Sequence, residues 1–261
     1  MNAKFDGRTI SPGKARGQVV KLDEPLSFLG GVDGATGELR VGNGGNVAGK
    51  ILVFPKGKGS TVGSFVMYDL MVHGKAPEAV INESAETIVA TGAVISSIPM
   101  VDCIPSIDIF QDGDFVIVDA DAGEVIIEGV TVRESVSSAV VMDGKVLMLK
   151  RPDTCHSFPG IWSLVAGKIE KGEKPAEASR REIAEETGIQ VAGPDAALKP
   201  IYVREGSTLW KVYPFLYRVA VADPRLNEEN VTFQWVAPED IPGMDTVKGT
   251  VSIVDRLLKR N

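Results

Sequence analysis

"GKIEKGEKPAEASRREIAEETGI", residues 167–189, decides how the second half of this chain is read. Pro175 suits the first turn of a helix and Gly188 suits its end. On such a helix Glu182, Glu185 and Glu186 stand at i, i+3 and i+4 and share one face. Three carboxylates about 5 Å apart repel by about 3 kcal/mol per pair at an effective dielectric of 20. A hard divalent cation with oxygen ligands removes that cost, and Mg2+ is the first choice. The competing reading is a solvated acidic face balanced by Lys174, Arg180 and Arg181.

The full spacing runs Gly, five residues, Glu, seven residues, then Arg-Glu-apolar-x-Glu-Glu-x-Gly-apolar. Gly167, Glu173, Arg181, Glu182, Ile183, Glu185, Glu186, Gly188 and Ile189 fill it without a gap. This resembles the Nudix box. The resemblance implies an α/β/α sandwich with a mixed sheet, hydrolysing a diphosphate linked to another moiety with Mg2+, or Mn2+ in its place. Carried over, Glu185 and Glu186 are metal ligands, Glu182 is a ligand or the catalytic base, and the Gly167 carbonyl completes the shell. Glu173, Arg181 and Gly188 are then structural, with Arg181 paired to Glu173. Val-Ala-Gly at 165–167 departs from the Pro-Gly-Gly of many members, which leaves the substrate open. Arg151 is a candidate substrate contact, Phe158 and Trp162 are pocket or core residues, and Glu228 or Glu229 is a further acid or part of a charged loop.

The rest of the composition sets limits. The chain has 261 residues, 44% apolar and 24% charged, with a net charge of −7, which suits one large or two ordinary soluble domains. A chain this acidic has no basic stripe for a nucleic-acid polymer, whereas small anionic metabolites remain suitable partners. No apolar run approaches a membrane span, and Lys4, Asp6, Arg8, Lys14 and Arg16 exclude a signal peptide at the start. Two cysteines, Cys103 and Cys155, and two histidines, His73 and His156, are too few to ligate an iron-sulfur cluster or build a zinc finger. They fit a reducing, cytoplasmic setting.

Two domains are expected, 1–130 and 131–261. The hairpin signal "GDFVIVDADAGEVII" (113–127) closes the first. "EGVTVRES" (128–135) reads as a linker, and "VSSAVVMDGKVLMLKRP" opens the second with two strands about an Asp-Gly turn. Upstream, the glycine-rich 30–49 reads as a long loop, "GKILVFP" (49–55) as a buried strand, "APEAVINES" as another, and "ETIVATGAVI" as a helix.

Between them lies "PKGKGSTVGS" (55–64). It is not a nucleotide P-loop, because Gly59 follows Gly57-Lys58 where a hydroxyl is required; "GGNVAGKI" (44–51) fails in the same way at Ile51. Two readings stay open. Ser60 is a plain helix N-cap, or the same helix start also stabilises an anion and activates the serine.

The stretch "GKGSTVGSFVMYDLMVHGKAPEAVINESAETIVATGAVISSIPMVD", with "GKARG" near the start, resembles the small subunit of the aconitase X-type dehydratases, particularly the archaeal ones that act on phosphomevalonate. The resemblance covers about residues 1–130. It implies a swivelling β/β/α domain that closes over a larger subunit carrying the [4Fe-4S] cluster. Ser60 then acts as acid/base while water leaves (R)-5-phosphomevalonate, giving trans-anhydromevalonate 5-phosphate. Lys58, Gly59 and Thr61 are candidate substrate contacts, Lys56 a further cation, and Asp102 an orienting residue or a turn residue. Two further readings remain: a non-catalytic binding module ahead of an autonomous hydrolase, and a Nudix half that only senses its ligand.

Overall fold

The protein is described from a computed structural model covering residues 1–154 and 158–259. It divides into two compact units, Met1–Thr131 with Gly206–Leu209, and Val132–Glu205 with Trp210–Asn261.

In the first unit the order is β1 (Ala3–Asp6), β2 (Arg8–Ser11), β3 (Lys14–Lys21), the single turn α1 (Phe28–Gly31), β4 (Ile51–Phe54), α2 (Gly63–Val72), β5 (Ala79–Asn82), α3 (Thr87–Ile95), β6 (Met100–Asp102), β7 (Phe115–Asp119) and β8 (Glu124–Ile127). The strands lie in the order β1-β8-β7-β3-β4-β5-β6-β2. Strands β3 to β6 pair in parallel, and β7, β8 and β1 form an antiparallel continuation. Leu52, Phe54, Val80 and Met100 share a core with Met67 and Leu70 of α2 and Val89 and Ala93 of α3. The alternate residues Ile51, Val53, Ile81 and Val101 are also fully buried, so these strands are covered on both faces, as unbroken apolar runs require. By contrast β7 and β8 bury one face through Val116, Val118, Val125 and Ile127. This is the expected β/β/α layering. Helices α2 and α3 lie so close that a Cβ at Gly92 would come within 2.4 Å of the Met67 sulfur.

The second unit contains β9 (Thr131–Met142), β10 (Lys145–Lys150), β11 (Trp162–Ser163), β12 (Val165–Lys168), α4 (Pro175–Thr187), β13 (Ala196–Ala197), β14 (Ile201–Glu205), β15 (Thr208–Arg218), β16 (Thr232–Val236) and α5 (Thr250–Leu258). Asp143 and Gly144 both take positive φ (50° and 77°) in the tight turn joining β9 and β10, as an Asp-Gly hairpin turn demands. Alternation along the strands sends side chains to two faces. Val136, Val140, Leu147, Leu149, Phe215 and Tyr217 meet Ala178 and Ile183 of α4. Ala139, Val141, Val146, Met148 and Leu216 meet Ile253, Val254 and Leu257 of α5. One sheet between two helices is the expected α/β/α sandwich.

The linker expected at 128–135 is different. Thr131–Ser135 already belong to β9, whose Ser135 and Ser137 pair with Lys168 and Ala166 of β12. Partners that lie thirty residues away hold this polar segment in the sheet, and its local composition gives no sign of them.

Candidate functional site

Helix α4 starts with Pro175 in its first turn, and the Glu177 carboxylate accepts the Lys174 amide. It stops at Gly188, which takes the left-handed conformation (φ 70°). A buried chain of hydroxyls, Ser138 to Ser179 to Tyr217 with both contacts at 2.8 Å, ties the helix to the sheet. The rotation of α4 is thereby fixed.

That rotation splits the acidic face. Glu182 and Glu186 are 8% and 4% exposed, whereas the Glu185 side chain is 55% exposed at the rim. The three carboxylates therefore do not form one cluster. Among the described residues no three acidic, histidine or cysteine side chains converge to hold a metal ion. Arg181 supplies the reason. Its guanidinium grips Glu173 through two bonds (2.9 and 3.0 Å), donates to the Lys168 carbonyl, and reaches Glu182 at 2.8 Å and Glu185 at 3.0 Å. The pairing with Glu173 was anticipated; the contacts with Glu182 and Glu185 were not.

Glu186 is held differently. Its carboxylate accepts Asn230 Nδ2 at 2.9 Å and the Ala166 amide at 3.2 Å. Burial pushes its pKa up to about 8, against the lowering effect of the Asn230 bond. Burial also raises Glu182, although Arg181 opposes it. Glu173 lies below its ordinary range because Arg181 hydrogen-bonds it.

Glu182 and Glu185 line a cavity of about 470 Å3, with Glu186 one hydrogen bond behind the wall at Ala166. Gly167 brings its backbone so close to Glu182 that an added Cβ would lie 1.9 Å from the carboxylate carbon. No side chain fits there. Arg151 and Phe158 line the cavity with Trp210, Lys248 and Glu229, but Trp162 does not; it packs against the core on the α5 side, with Lys150 6.0 Å from its ring. Trp235 in β16 packs against the α4 core. Cys155 and His156 lie outside the described residues.

In the first unit the segment after β4 is anchored through backbone bonds between Leu26 and Lys56 (3.1 Å) and between Lys58 and Leu26 (2.9 Å). Gly59 adopts φ 103°, and a Cβ there would meet Ser27 Oγ at 2.6 Å. Lys58, Gly59, Ser60 and Thr61 are all exposed together on this loop. Ser60 is not the N-cap of α2, which is Val62. The hydroxyl instead closes a turn before the helix, accepting the Val62 amide at 3.3 Å while the Ser60 carbonyl accepts Gly63. Asp102 is fully buried and takes no part in this loop. It accepts two bonds from Arg8 and one from the Ala85 amide, which ties β6 to β2 and to the turn ahead of α3. Exposed apolar side chains recur along one side of α2: Val62, Phe65 (67% exposed), Tyr68, Met71 and Val72.

A family model of the aconitase X swivel domain matches residues 4–127. The phosphomevalonate dehydratase small subunit of Thermococcus kodakarensis is 56% identical over 126 residues, covering 47% of this chain and 94% of the relative. The chain belongs to the aconitase X swivel family. A family model of the NUDIX domain matches residues 132–256. The swivel domain is also similar to the crystal structure of Thermococcus kodakaraensis aconitase X in its holo form (54% identity, 48% of this chain and 98% of that one, TM-score 0.46). The Nudix domain is similar to the MutT protein of Methanosarcina mazei Go1 (27% identity, 51% of this chain and 96% of that one, TM-score 0.46). Both parts are enzyme parts, and relatives that are small subunits imply a large-subunit partner for the swivel domain. No described helix is long and apolar enough to cross a membrane.

Proposed function

We propose that one chain carries two activities: the small-subunit part of a phosphomevalonate dehydratase, and a Mg2+-dependent Nudix hydrolase acting on a diphosphate linked to another moiety. The first rests on the 56% identity to a dehydratase small subunit across nearly its whole length. The second rests on the NUDIX domain match over residues 132–256, with Glu182 of the matched box lining the 470 Å3 cavity. We take the domains to be 1–130 and 131–261, and the cytoplasm to be the setting.

In the dehydratase, Ser60 Oγ takes the proton from the carbon beside the carboxylate of (R)-5-phosphomevalonate while the hydroxyl leaves the neighbouring carbon. The products are trans-anhydromevalonate 5-phosphate and water. A free serine is a poor base. Here the Val62 amide at the start of α2 already donates to Ser60 Oγ, which favours its charged form. Lys58 is the exposed cation two residues away and holds the substrate's phosphate or carboxylate with Gly59 and Thr61. A [4Fe-4S] cluster in the large subunit would supply the Lewis acid for the departing hydroxyl. The apolar row from Val62 to Val72 supports such a partner, since it begins two residues beyond Ser60 and nothing in the swivel domain covers it.

In the C-terminal domain Glu182, Glu185 and Glu186 do not converge on a cation as they stand, and holding one would require Arg181 to release Glu182 and Glu185. Glu182 and Glu186 are buried carboxylates whose charged forms are disfavoured by desolvation, and the Glu182 carboxylate itself fills the space that a side chain at Gly167 would take. Glu182, Glu185, Glu186 and the Gly167 carbonyl would hold the ion, which when bound offsets diphosphate charge and lowers the pKa of water. Arg181 keeps Glu182 and Glu185 neutralised until then. Glu182 then accepts the proton of the attacking water, while Arg151 and Lys248 on the cavity wall bind the anionic substrate. An isoprenoid diphosphate as substrate would join the two activities in one pathway.

Co-expression with an aconitase X-type large subunit, anaerobic purification and assay of phosphomevalonate dehydration test the first activity. A brown complex with turnover that Ser60→Ala abolishes is expected; turnover surviving the substitution overturns the serine's role. Phosphate and pyrophosphate release from isoprenoid diphosphates and nucleotides tests the second. A strict preference for nucleotides would overturn the pathway link and leave the hydrolase.

A further inference from the structure

We infer that the uncapped start of α5 is an anion subsite of the cavity, taking a compact phosphate or carboxylate group at one end of the substrate; this deepens the hydrolase reading above and needs no cation. Helix α5 runs for nine residues from Thr250, and its N-cap is Gly249 (φ 95°), which has no side chain to accept the first amides. The Thr250 amide bonds the Val247 carbonyl and the Ile253 amide bonds the Gly249 carbonyl, at 3.0 and 2.9 Å. Between them the Val251 and Ser252 amides make no hydrogen bond among the described residues. They point back along the helix axis, where the dipole is positive.

A second observation ties this helix end to a ligand. Thr250 lines the cavity and is only 4% exposed, yet its hydroxyl has no hydrogen-bond partner among the described residues. A buried hydroxyl left unpaired costs free energy, and such groups in native proteins are nearly always satisfied. A ligand oxygen in the cavity is the partner it lacks. Lys248, exposed on the same wall and in no ion pair among the described residues, adds a cation. Helix α5 and the turn before it contribute Val247, Lys248, Thr250 and Ile253 to the lining, with no acid among them. Glu182 and Glu185 come instead from α4, where Arg181 pairs with both, and Glu229 from the segment ahead of β16. An added Cβ at Gly249 would lie 3.4 Å from Ile201 Cδ1, so apolar β14 packs directly against the helix start. Such neighbours lower the local dielectric and strengthen the pull of the helix end on an anion.

The test is thermal unfolding of the full chain, with a chelator present, in chloride, inorganic phosphate or acetate at equal ionic strength. Tryptophan fluorescence follows it, since all three tryptophans lie in the domain that holds α5. Wild type should melt higher in phosphate, in acetate or in both, the arms separating a phosphoryl from a carboxylate preference. Thr250→Val keeps the shape and removes the hydroxyl. The anion concentration needed for a given shift should then rise about 10- to 100-fold, as for a lost hydrogen bond to a charged group. In chloride this variant should melt at or above wild type because no bond is lost, whereas a merely structural threonine would lower the transition. If Thr250→Val does not fold, Thr250→Ala carries the same expectation for the anion. Lys248→Gln should weaken the anion effect about 2- to 5-fold. No rise in wild type overturns the subsite. So does a rise that the Thr250 variant leaves intact, since phosphate stabilises folded proteins in general. Hydrolysis assayed in parallel separates the two readings: turnover without an anion shift overturns the subsite alone, and an anion shift without turnover overturns the hydrolase and leaves the subsite.

Discussion

The Ser60 loop and the Glu182 cavity are built on opposite plans. The cavity is enclosed by side chains of its own domain, and Glu182 on its wall and Glu186 behind it are buried, hydrogen-bonded and pushed towards their neutral forms before any ligand arrives. The loop is exposed from Lys58 to Thr61, and its serine touches only the start of the next helix. A self-sufficient site must hold its charges against desolvation, so it shows strained titration and paired acids. A site completed by another polypeptide can leave its chemistry in solvent and show an uncovered apolar surface instead. The contrast teaches where each proposed activity would be completed: the dehydratase in a partner polypeptide, the hydrolase in its own substrate and metal.

The contrast breaks most sharply if the two activities cannot be lost separately. Ser60→Ala should remove dehydration in the reconstituted complex by about 10³-fold or more while diphosphate hydrolysis is unchanged. Glu182→Gln should do the reverse, lowering hydrolysis by about 10²- to 10⁴-fold with dehydration intact. Parallel assays of one preparation check both; a variant that loses the two together would show that the sites are not independent.

Next in size is Gly167→Ala. The added methyl falls on the Glu182 carboxylate, so the side chain must move by an ångström or more. A displacement of that order costs about 10²-fold in rate. Steady-state hydrolysis should fall through kcat, with the melting temperature of the swivel domain unaffected. Phe65→Asp is smaller again. Placed at the most exposed point of the apolar row on α2, it should weaken the large-subunit complex by about 10- to 30-fold, read by analytical ultracentrifugation, and leave the hydrolase untouched.

The two domains were also unequally legible in the sequence. Patterns of short range carried well: the Asp143-Gly144 hairpin, the helix from Pro175 to Thr187, and the Arg181 to Glu173 pair all follow from spacing within about a dozen residues. What sequence could not show was rotation and long-range approach. Three glutamates at helical spacing point the same way only to within a turn, and the Ser138, Ser179 and Tyr217 chain decides which are buried. Asn230 is forty-four residues from Glu186, and its only sequence signal is a polar residue wedged between two glutamates and a strand. Ser60 was expected to cap α2. The cap falls at Val62 instead, and bonds from residues 63 to 65 run back to 60 to 62 through the turn ahead of the helix.

The smallest predicted effect concerns stability and separates the domains by spectroscopy. Asp102 is wholly buried, and burial by itself would raise its pKa; the hydrogen bond from Arg8 and the Ala85 amide outweigh this and hold it below the usual carboxylate range. A folded-state pKa below the unfolded one adds stability that is present above about pH 4 and fades as pH falls through the folded value. Because the Arg8 side chain is largely exposed, the pair is screened, and Asp102→Asn should cost only about 1–2 kcal/mol at pH 7. The gap between variant and wild type should narrow as pH falls below about 4 and the wild-type carboxylate takes up its proton. Trp162, Trp210 and Trp235, the chain's three tryptophans, all lie in the Nudix domain, so their fluorescence reports that domain alone. Urea unfolding followed by far-ultraviolet circular dichroism should therefore shift at pH 7 while the fluorescence transition stays where it was. A matching shift in fluorescence would mean that the domains unfold as one unit, and the comparison between a borrowed site and a self-contained one would then have to be drawn within a single cooperative fold.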